Sequence, residues 1–343
     1  MTREKSALDD SLPPHVQLIQ MGTGGWVTAI VTTAAQTGLA DQLAAGPKSA
    51  DELAGPMKLS AASLHRLMRT LAGLGILTEQ EERRFALTPL GEALRTGAPG
   101  SARATLLAFN GVLWRGWEKM SYSLETGQPG FDQAMGMPLF EFMGRDATLA
   151  SHFSEAMVGF HGAEPPAVAK AYDFSSFNTV VDVGGATGNM LATILSSHRG
   201  PRGVLYDLPH VVGDAPALLA SRGVADRVTI ESGSFFDTVP AGADCYVLSH
   251  VIHDWNEDKC LTILGHCRKA IARDGRLLIV EMVLPAGDTP HPGKVLDMVM
   301  LVFTGGQERT EAEYGALLGK AGFRLSRVVP TASAVSVVEA LPA

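Results

Sequence analysis

The glycine-rich stretch Asp182–Gly188 contains the residue types and spacing that most clearly suggest chemistry. It reads Asp-Val-Gly-Gly-Ala-Thr-Gly, follows the apolar run Thr179–Val181 and precedes the helical pattern Asn189–Ile194. A strand that ends in glycines and continues into a helix lets bare backbone approach a ligand at the helix N-terminus. An ordinary tight turn is the simpler alternative. We interpret the stretch as part of a cofactor site.

Two carboxylates indicate which cofactor this is. The glycines at 184, 185 and 188 do not follow the dinucleotide pattern G-x-G-x-x-G. Asp182 would repel a pyrophosphate but attract the cationic ammonium or sulfonium of a ligand. Asp207 ends the predicted strand Val204–Asp207, 23 positions after Gly184 and near the offset at which such folds bind a ribose diol. The pattern therefore favours S-adenosylmethionine (SAM) over NAD.

The segment Leu248–Trp255 carries the candidate catalytic group. It reads Leu-Ser-His-Val-Ile-His-Asp-Trp and lies where a strand gives way to a loop, at the edge where open α/β sheets bind ligands. His253 is therefore well placed to act on a substrate. His250 could ligate a metal only with further partners, and no zinc-type spacing surrounds it. We predict no metal site, and we expect the other histidines to be surface or core residues.

The elements that must position these groups alternate as in a doubly wound α/β sheet with short crossovers and parallel strands. The predicted strands after Asp207 are Val228–Ile230, Cys245–Leu248 and Arg276–Met282, and the predicted helices are Asp214–Ser221 and Glu257–Ala272. The last two apolar runs, Arg324–Val329 and Ala334–Ala340, are close enough in sequence to form an antiparallel pair at one edge.

The first ~100 residues predict a mainly helical, winged-helix module. Apolar residues at helical spacing occupy Val27–Leu43, and Ser49 with Glu52 forms a capping box. A helical stripe follows at Leu64, Leu67, Met68 and Leu71, and then two short strands, Ile76–Thr78 and Phe85–Leu87. Such a module could read DNA through Arg66 and Arg69, but two arginines are a thin basic patch, so packing and dimerisation are favoured.

The segment Ala104–Ala171 is rich in aromatic residues and methionine. Flat, polarisable side chains suit a pocket for a planar organic ligand, although they are more often simple core. We expect Glu164-Pro-Pro166 to begin the last helix before the cofactor domain.

Composition limits the classes of protein. The chain has 343 residues, 46% of them hydrophobic, a net charge of -8 and three cysteines without a C-x-x-C pair. This composition predicts globular domains with small-molecule partners, and neither nucleic-acid nor membrane binding. Unpaired cysteines and a polar N-terminus without a signal peptide favour the cytoplasm.

Taken together, the motifs give a resemblance to a known family. The chain resembles the small-molecule O-methyltransferases of plant phenolic and bacterial polyketide or phenazine pathways. The motifs, in order, are Asp182–Gly188, Tyr206–Val211, His253–Trp255, Val280–Met282 and Gly305–Thr310. The resemblance implies a class I methyltransferase sheet (Rossmann-like, with an antiparallel final strand), an N-terminal winged-helix domain that forms a homodimer, and an acceptor pocket lined by both domains. We predict a dimerisation domain over 1–100, a connecting segment over 101–175 and a SAM-binding domain over 176–343.

The resemblance also implies roles for individual residues. His253 becomes the general base, with Glu281 and Glu308 flanking it to hold and polarise the imidazole. Gly184 and Asp207 bind the cofactor, Asp207 through the ribose hydroxyls, and Asp182 lies at or behind the methionine end. The implied acceptor contacts are Phe153, Met157 and His250.

Phe235, Ser234 and Ser249 complete the predicted cofactor set, and the two serines depart from the family pattern. Plant members have an acid at the position of Ser234 and a lysine at that of Ser249, so the affinity or geometry at the adenosine half is expected to differ. The predicted activity is methylation of an aromatic or polyketide hydroxyl. Recruitment of the scaffold to SAM-assisted hydroxylation or decarboxylation is the alternative, and a DNA-binding regulator is the third.

Overall fold

The computed structural model describes residues 12–343. The chain divides into two compact units, and each unit consists of two separate stretches of the sequence. The first comprises the chain up to Trp114 together with Met143–Phe160, and the second comprises Arg115–Phe142 and His161–Ala343. The predicted three-part division is not tested by this grouping and stays a prediction.

Short elements build the N-terminal half of the chain. They are α1 (Pro14–Thr37), α2 (Leu39–Leu43), β1 (Lys48–Ser49), α3 (Ala50–Met57), α4 (Ala61–Gly73), β2 (Leu77–Glu79), β3 (Arg84–Leu87), α5 (Pro89–Glu92), α6 (Arg103–Phe109), α7 (Trp114–Trp117), α8 (Met120–Thr126), α9 (Gly130–Met135), α10 (Leu139–Met143), α11 (Ala147–His161) and α12 (Glu164–Ala171).

The winged-helix prediction is confirmed with two differences. The capping box forms between Ser49 and Glu52, and β3 pairs antiparallel with β2. The helical stretch Val27–Leu43 is divided between two helices, because Gly38 adopts a left-handed conformation (φ 68°) that ends α1 and starts α2. A third strand, β1, pairs with the other side of β3 and was not predicted, because two residues are too short to show a period.

The remaining elements form the α/β sheet and its helices. They are β4 (Thr179–Val183), α13 (Asn189–Ser197), β5 (Arg202–Asp207), α14 (Ala215–Ser221), β6 (Val228–Ser232), β7 (Cys245–Ser249), α15 (Glu257–Ala270), β8 (Arg276–Glu281), β9 (Val283–Leu284), α16 (Pro292–Phe303), β10 (Arg309–Thr310), α17 (Glu311–Lys320), β11 (Phe323–Pro330) and β12 (Ser336–Pro342).

Seven strands form the main sheet in the order β11-β12-β8-β7-β4-β5-β6. The five strands from β8 to β6 are parallel, whereas β12 is antiparallel to both β8 and β11. The predicted doubly wound sheet with an antiparallel pair at one edge is therefore confirmed. The chain reverses strand order at β4, so ligands are expected at the carboxyl ends of the central strands.

Both faces of this sheet are covered by apolar side chains. Val181, Tyr246 and Ile279 lie in one buried cluster, and Val180 and Leu278 lie in the other. Burial on both faces explains why the central strands are continuous apolar runs rather than alternating ones. The three cysteines are all buried and unpaired, as small hydrophobic residues.

Across the part of the chain that the structure describes, no helix is both long enough and apolar enough to cross a membrane.

Candidate active site

Most of the predicted site residues of the second unit lie at one edge of the sheet. Gly184 follows β4, and Asp207, Ser249 and Glu281 are the last residues of β5, β7 and β8. Because these strands are parallel, their carboxyl ends meet at the same edge. The fold therefore brings together groups that are up to 97 positions apart in sequence.

The glycine turn after β4 requires glycine at two positions. Gly184 has φ +71°, its N–H donates to the carbonyl of Tyr206 at 2.8 Å, and a Cβ there would lie 2.9 Å from Val251 Cγ2. A Cβ on Gly185 would lie 2.5 Å from the carboxyl carbon of Asp182. Side chains at these positions would strain the backbone or collide, so the turn keeps its backbone bare beside the strand ends.

Two carboxylates flank this turn. Asp182 is 1% exposed; its Oδ2 accepts the N–H of Leu191 at 3.3 Å, and its Oδ1 has no partner within the described chain. Burial raises the pKa of Asp182 to about 7, which the Leu191 hydrogen bond opposes and the charge of Asp207 reinforces. Asp207 accepts the N–H groups of Ala186 at 2.8 Å and Leu208 at 2.7 Å, and burial raises its pKa. Both groups are suited to hydrogen-bond donors or cations.

The residues that follow β6 and those at the end of β7 lie at the same edge of the sheet. The ring of Phe235 packs next to Gly184, and it contacts Phe236 with the ring centroids 4.8 Å apart. The hydroxyl of Ser234 accepts the N–H of Phe236 at 3.2 Å, so part of its bonding capacity is used to shape its own loop. Ser249 is half-buried at the end of β7.

His253 is enclosed in a short 3-10 turn, Ile252–Asp254, and is 6% exposed. Its Nδ1 lies 2.6 Å from Glu308 Oε1, and its Nε2 lies 3.9 Å from Asp254 Oδ1. Burial by itself would lower the pKa of His253, but the hydrogen bond that its ring donates to Glu308 and the negative charges of Asp254, Glu281 and Glu308 outweigh burial and raise that pKa to about 10. The ring is therefore a strong proton acceptor.

Glu281 contacts the backbone of the His253 turn instead of its ring. Its Oε1 accepts the N–H groups of Ile252 at 2.7 Å and of His253 at 3.1 Å, and its Oε2 accepts the hydroxyl of Tyr314. The expectation that Glu281 and Glu308 both flank the imidazole is corrected here: Glu308 binds the ring, whereas Glu281 positions the turn that carries it.

Three supporting residues escaped sequence reasoning. Tyr314 on α17 binds Glu281, and Asp297 on α16 accepts the N–H of Glu308 at 2.8 Å. Gly306 packs so closely that a Cβ there would lie 1.9 Å from the carbonyl oxygen of His253. Of these three residues, only Gly306 belongs to a motif that is recognisable in the sequence, Gly305–Thr310. Tyr314 and Asp297 occupy positions that look like ordinary helix residues.

His250 lies in a different environment from the one its sequence neighbours suggest. It has φ +53°, and its Nε2 lies 2.7 Å from Glu164 Oε2. The same oxygen is 3.0 Å from Nδ1 of His161. The residues next to His250 in the sequence offer no zinc-type spacing. The fold nevertheless brings His161 and Glu164, from more than 80 positions earlier, next to His250.

The two aromatic-segment residues belong to the first unit. Phe153 and Met157 are half-buried in α11, and the ring centroid of Phe153 lies 5.7 Å from that of Phe109 on α6. Their role in binding the acceptor stays a prediction.

Comparisons with known proteins agree with this geometry. Residues 117–324 match the model of the O-methyltransferase domain, and residues 19–97 match that of the O-methyltransferase dimerisation domain. A phenazine O-methyltransferase from Lysobacter antibioticus is 42% identical over 97% of both chains. The crystal structure of LaPhzM aligns with a TM-score of 0.91 at 42% identity, covering 97% of this chain and 100% of that one.

A further solved structure has a ligand pair. It is an O-methyltransferase from neocarzinostatin biosynthesis in complex with SAM and 2-hydroxy-5-methyl naphthoic acid. It aligns with a TM-score of 0.81 at 34% identity, covering 92% of this chain and 96% of that one. Two matched domains, near-complete coverage of a relative and a class I sheet lead to one conclusion. The chain belongs to the SAM-dependent O-methyltransferase family.

Proposed function

We propose that this enzyme methylates a hydroxyl of an aromatic or polyketide-type small molecule, with His253 as the general base. The observation that carries the proposal is the buried His253–Glu308 pair, with 2.6 Å between Nδ1 and Oε1, at the carboxyl edge of the sheet. With Nδ1 held by a carboxylate, Nε2 remains as the nitrogen that can take the proton of a substrate hydroxyl.

The residues at the carboxyl edge fit SAM. Gly184 keeps a side chain out of the space occupied by Val251 and Phe235, so its backbone stays exposed to a ligand, and the unpartnered Oδ1 of Asp182 is available to a donor from the methionine end. Asp207 would bind the ribose hydroxyls, and Ser234, Phe235 and Ser249 would contact the adenosine half. When bound, SAM supplies a sulfonium-activated methyl group, so the protein's contribution is mainly to align the acceptor and exclude water.

The electrostatics of His253 fit a base that handles a phenol-type proton. The carboxylates around it raise its pKa, which makes the neutral imidazole a stronger acceptor for the weakly acidic proton of a phenol. Once the imidazole has the proton, the nearby negative charges of Glu308 and Glu281 stabilise it. Glu281 acts as a positioning residue, since its carboxylate accepts hydrogen bonds from the backbone of the turn and from Tyr314.

The acceptor class follows from the relatives and from residue chemistry. The relatives named above include a phenazine O-methyltransferase and an enzyme solved with a naphthoic acid, both of which have planar aromatic ligands. Phe153 and Met157 offer flat, polarisable surfaces that suit such rings. His250 would contribute a polar contact beside His253, because their ring centroids are 5.1 Å apart.

We infer that the chain forms a homodimer through its N-terminal domain. The match of residues 19–97 to a dimerisation domain supports this, as do five exposed apolar residues on α1: Leu18, Ile19, Met21, Trp26 and Val27. The same match favours dimerisation over DNA reading by Arg66 and Arg69.

The test uses purified enzyme, labelled SAM and a panel of phenols, hydroxyphenazines and hydroxynaphthoates. We expect a methylated product from at least one acceptor. A His253→Ala variant should lose roughly 10²-fold or more in kcat, since a general base contributes that much, and it should still bind SAM. His198→Ala is the control, because that histidine contacts the carbonyl of Ala169, away from this edge.

Two results would contradict the proposal. If His253→Ala kept near-normal turnover at neutral pH, His253 would not be the base. If SAM bound but no acceptor in the panel were methylated, the recruited hydroxylase or decarboxylase activity would become the better interpretation.

A further inference from the structure

Three metal-ligating side chains meet beside the catalytic histidine. Nδ1 of His161, Oε2 of Glu164 and Nε2 of His250 all lie within 4.8 Å of one another. We call these three residues the His-Glu-His cluster. His161 ends α11, Glu164 begins α12 and His250 follows β7. His250 lies next to His253, with ring centroids 5.1 Å apart, but the hydrogen bonds that join the three side chains of the cluster do not include the His253–Glu308 pair.

The charge of Glu164 is not balanced by a fixed cation. The residue is 5% exposed, and within residues 12–343 its ion-pair partners are the two imidazoles, with no lysine or arginine among them. A cation held by the three side chains would balance this buried carboxylate.

The spacing suits a tetrahedral metal. With metal–nitrogen and metal–oxygen bonds of 2.0–2.1 Å, neighbouring ligand atoms lie about 3.3 Å apart. The His250–Glu164 and His161–Glu164 separations are 2.7 and 3.0 Å. A cation between the three atoms would need these two distances to open by a few tenths of an ångström. The imidazole rings of His161 and His250, whose centroids are 3.8 Å apart, would have to shift slightly.

An orphaned atom adds a second observation. Nδ1 of His250 is buried and has no hydrogen-bond partner within the described chain. If Nε2 of His250 donates to Glu164, this Nδ1 is an unprotonated acceptor. If Nε2 binds a metal, the ring proton must lie on Nδ1, which becomes a donor. In either state, Nδ1 of His250 has no hydrogen-bond partner among the described residues.

We propose that the His-Glu-His cluster binds one divalent transition-metal ion of the zinc, cobalt or nickel class, through two imidazole nitrogens and one carboxylate oxygen. Two histidines and one glutamate are a ligand set that Zn²⁺ uses when a fourth position stays open. His161 is the most exposed of the three side chains and gives solvent access to the cluster. The site does not depend on the proposed function, because its occupation is measured without turnover.

The test is a Co²⁺ titration of the untagged full-length enzyme after treatment with a chelator. We expect one equivalent of Co²⁺ to bind with visible d–d absorption of tetrahedral intensity, and Zn²⁺ to displace it. His161→Ala and His250→Ala should each weaken binding at least about 10- to 100-fold, since loss of an outer-shell partner alone has that effect. His161→Ala also guards against misfolding, because it changes the most exposed ligand.

The matched control is His198→Ala. His198 also lies near a carboxylate, with 3.8 Å between its Nδ1 and Oδ1 of Asp173, but it belongs to no group of three metal-ligating side chains among residues 12–343. This variant should bind Co²⁺ like the wild type. Absence of a bound equivalent, unchanged affinity in both His161→Ala and His250→Ala, or a thiolate charge-transfer band from a cysteine would each overturn the proposal. In that case the cluster is a hydrogen-bonded network only.

Discussion

At the scale of single residues, His253 illustrates how neighbours set the chemistry of a side chain. Burial opposes its charge, yet the hydrogen bond that the ring donates to Glu308 and the charges of three nearby carboxylates raise its pKa to about 10. A histidine acts as a base only when it is neutral. In the proposed mechanism, the same carboxylates that strengthen His253 as a base therefore also keep it protonated to higher pH.

We predict that Glu308→Gln shifts the pH profile of methyl transfer to lower pH. A group with a raised pKa becomes neutral only as the pH passes that pKa, so removing the raising charge lets His253 become neutral earlier. The acidic limb of log(kcat/KM) should move down by at least about one pH unit. The plateau should fall by roughly 10- to 10²-fold, because the base is weaker.

The control is Glu311→Gln, which removes an exposed carboxylate from the first turn of α17 and should leave the limb in place. If the acidic limb of log(kcat/KM) in Glu308→Gln stayed in place or moved to higher pH, Glu308 would not set the pKa of His253.

At the scale of elements, the site depends on segments that hold the His253 turn from several sides. Glu281 at the end of β8 binds two N–H groups of the turn, and Tyr314 on α17 binds Glu281 in return. The loop after α16 packs against the turn through Gly306. The catalytic geometry is therefore a property of β8, α16 and α17 together.

Gly306→Ala should disrupt catalysis without removing any functional group. A Cβ at this position would lie 1.9 Å from the carbonyl oxygen of His253 and 2.5 Å from the carbonyl carbon of Asp254. Both are backbone atoms, so the turn must move. We expect kcat to fall by about 10²-fold, the effect of a displacement of roughly 1 Å, while the dissociation constant for SAM changes little.

Gly319→Ala serves as the comparison, because a Cβ there meets nothing within 4 Å and the residue lies in helix α17. It should leave kcat unchanged and stabilise the fold slightly. Normal turnover in Gly306→Ala would mean that the turn tolerates displacement.

At the scale of the whole molecule, the chain combines a winged-helix module with a class I methyltransferase sheet. The exposed apolar face of α1 is unusual for a monomer, because large apolar side chains cluster along one helix. A partner subunit that covers them would explain both the exposure and the family match of residues 19–97.

Trp26→Glu tests this arrangement. Trp26 is 71% exposed, and buried tryptophans are frequent hot spots of interfaces, so the substitution should raise the dimer dissociation constant at least about 10-fold. Light scattering coupled to size exclusion over a dilution series measures this change. Leu124→Glu, at a residue that is 65% exposed on α8, should leave the dimer intact. A wild-type monomer at all concentrations, or equal effects of both variants, would rule out the α1 interface.

The sequence by itself determined the parts of this protein that depend on local pattern. The strands of the main sheet follow from short apolar runs, the capping box at Ser49 from local hydrogen bonding and the glycine turn at Gly184 from backbone sterics. The motif around His253 could be located for the same reason, since strand ends are local features. Asp182 and Asp207, the acids proposed to contact the cofactor, could be singled out because each adjoins a predicted strand.

Only the tertiary structure decided which groups meet. Glu281 proved to bind the backbone of the turn and not the imidazole, and Tyr314 and Gly306 became part of the site through packing. His161 and Glu164 join His250 across more than 80 positions of sequence. Side-chain contacts of this kind depend on how helices pack against the ends of strands. The spacing of apolar residues in one sequence does not specify that packing.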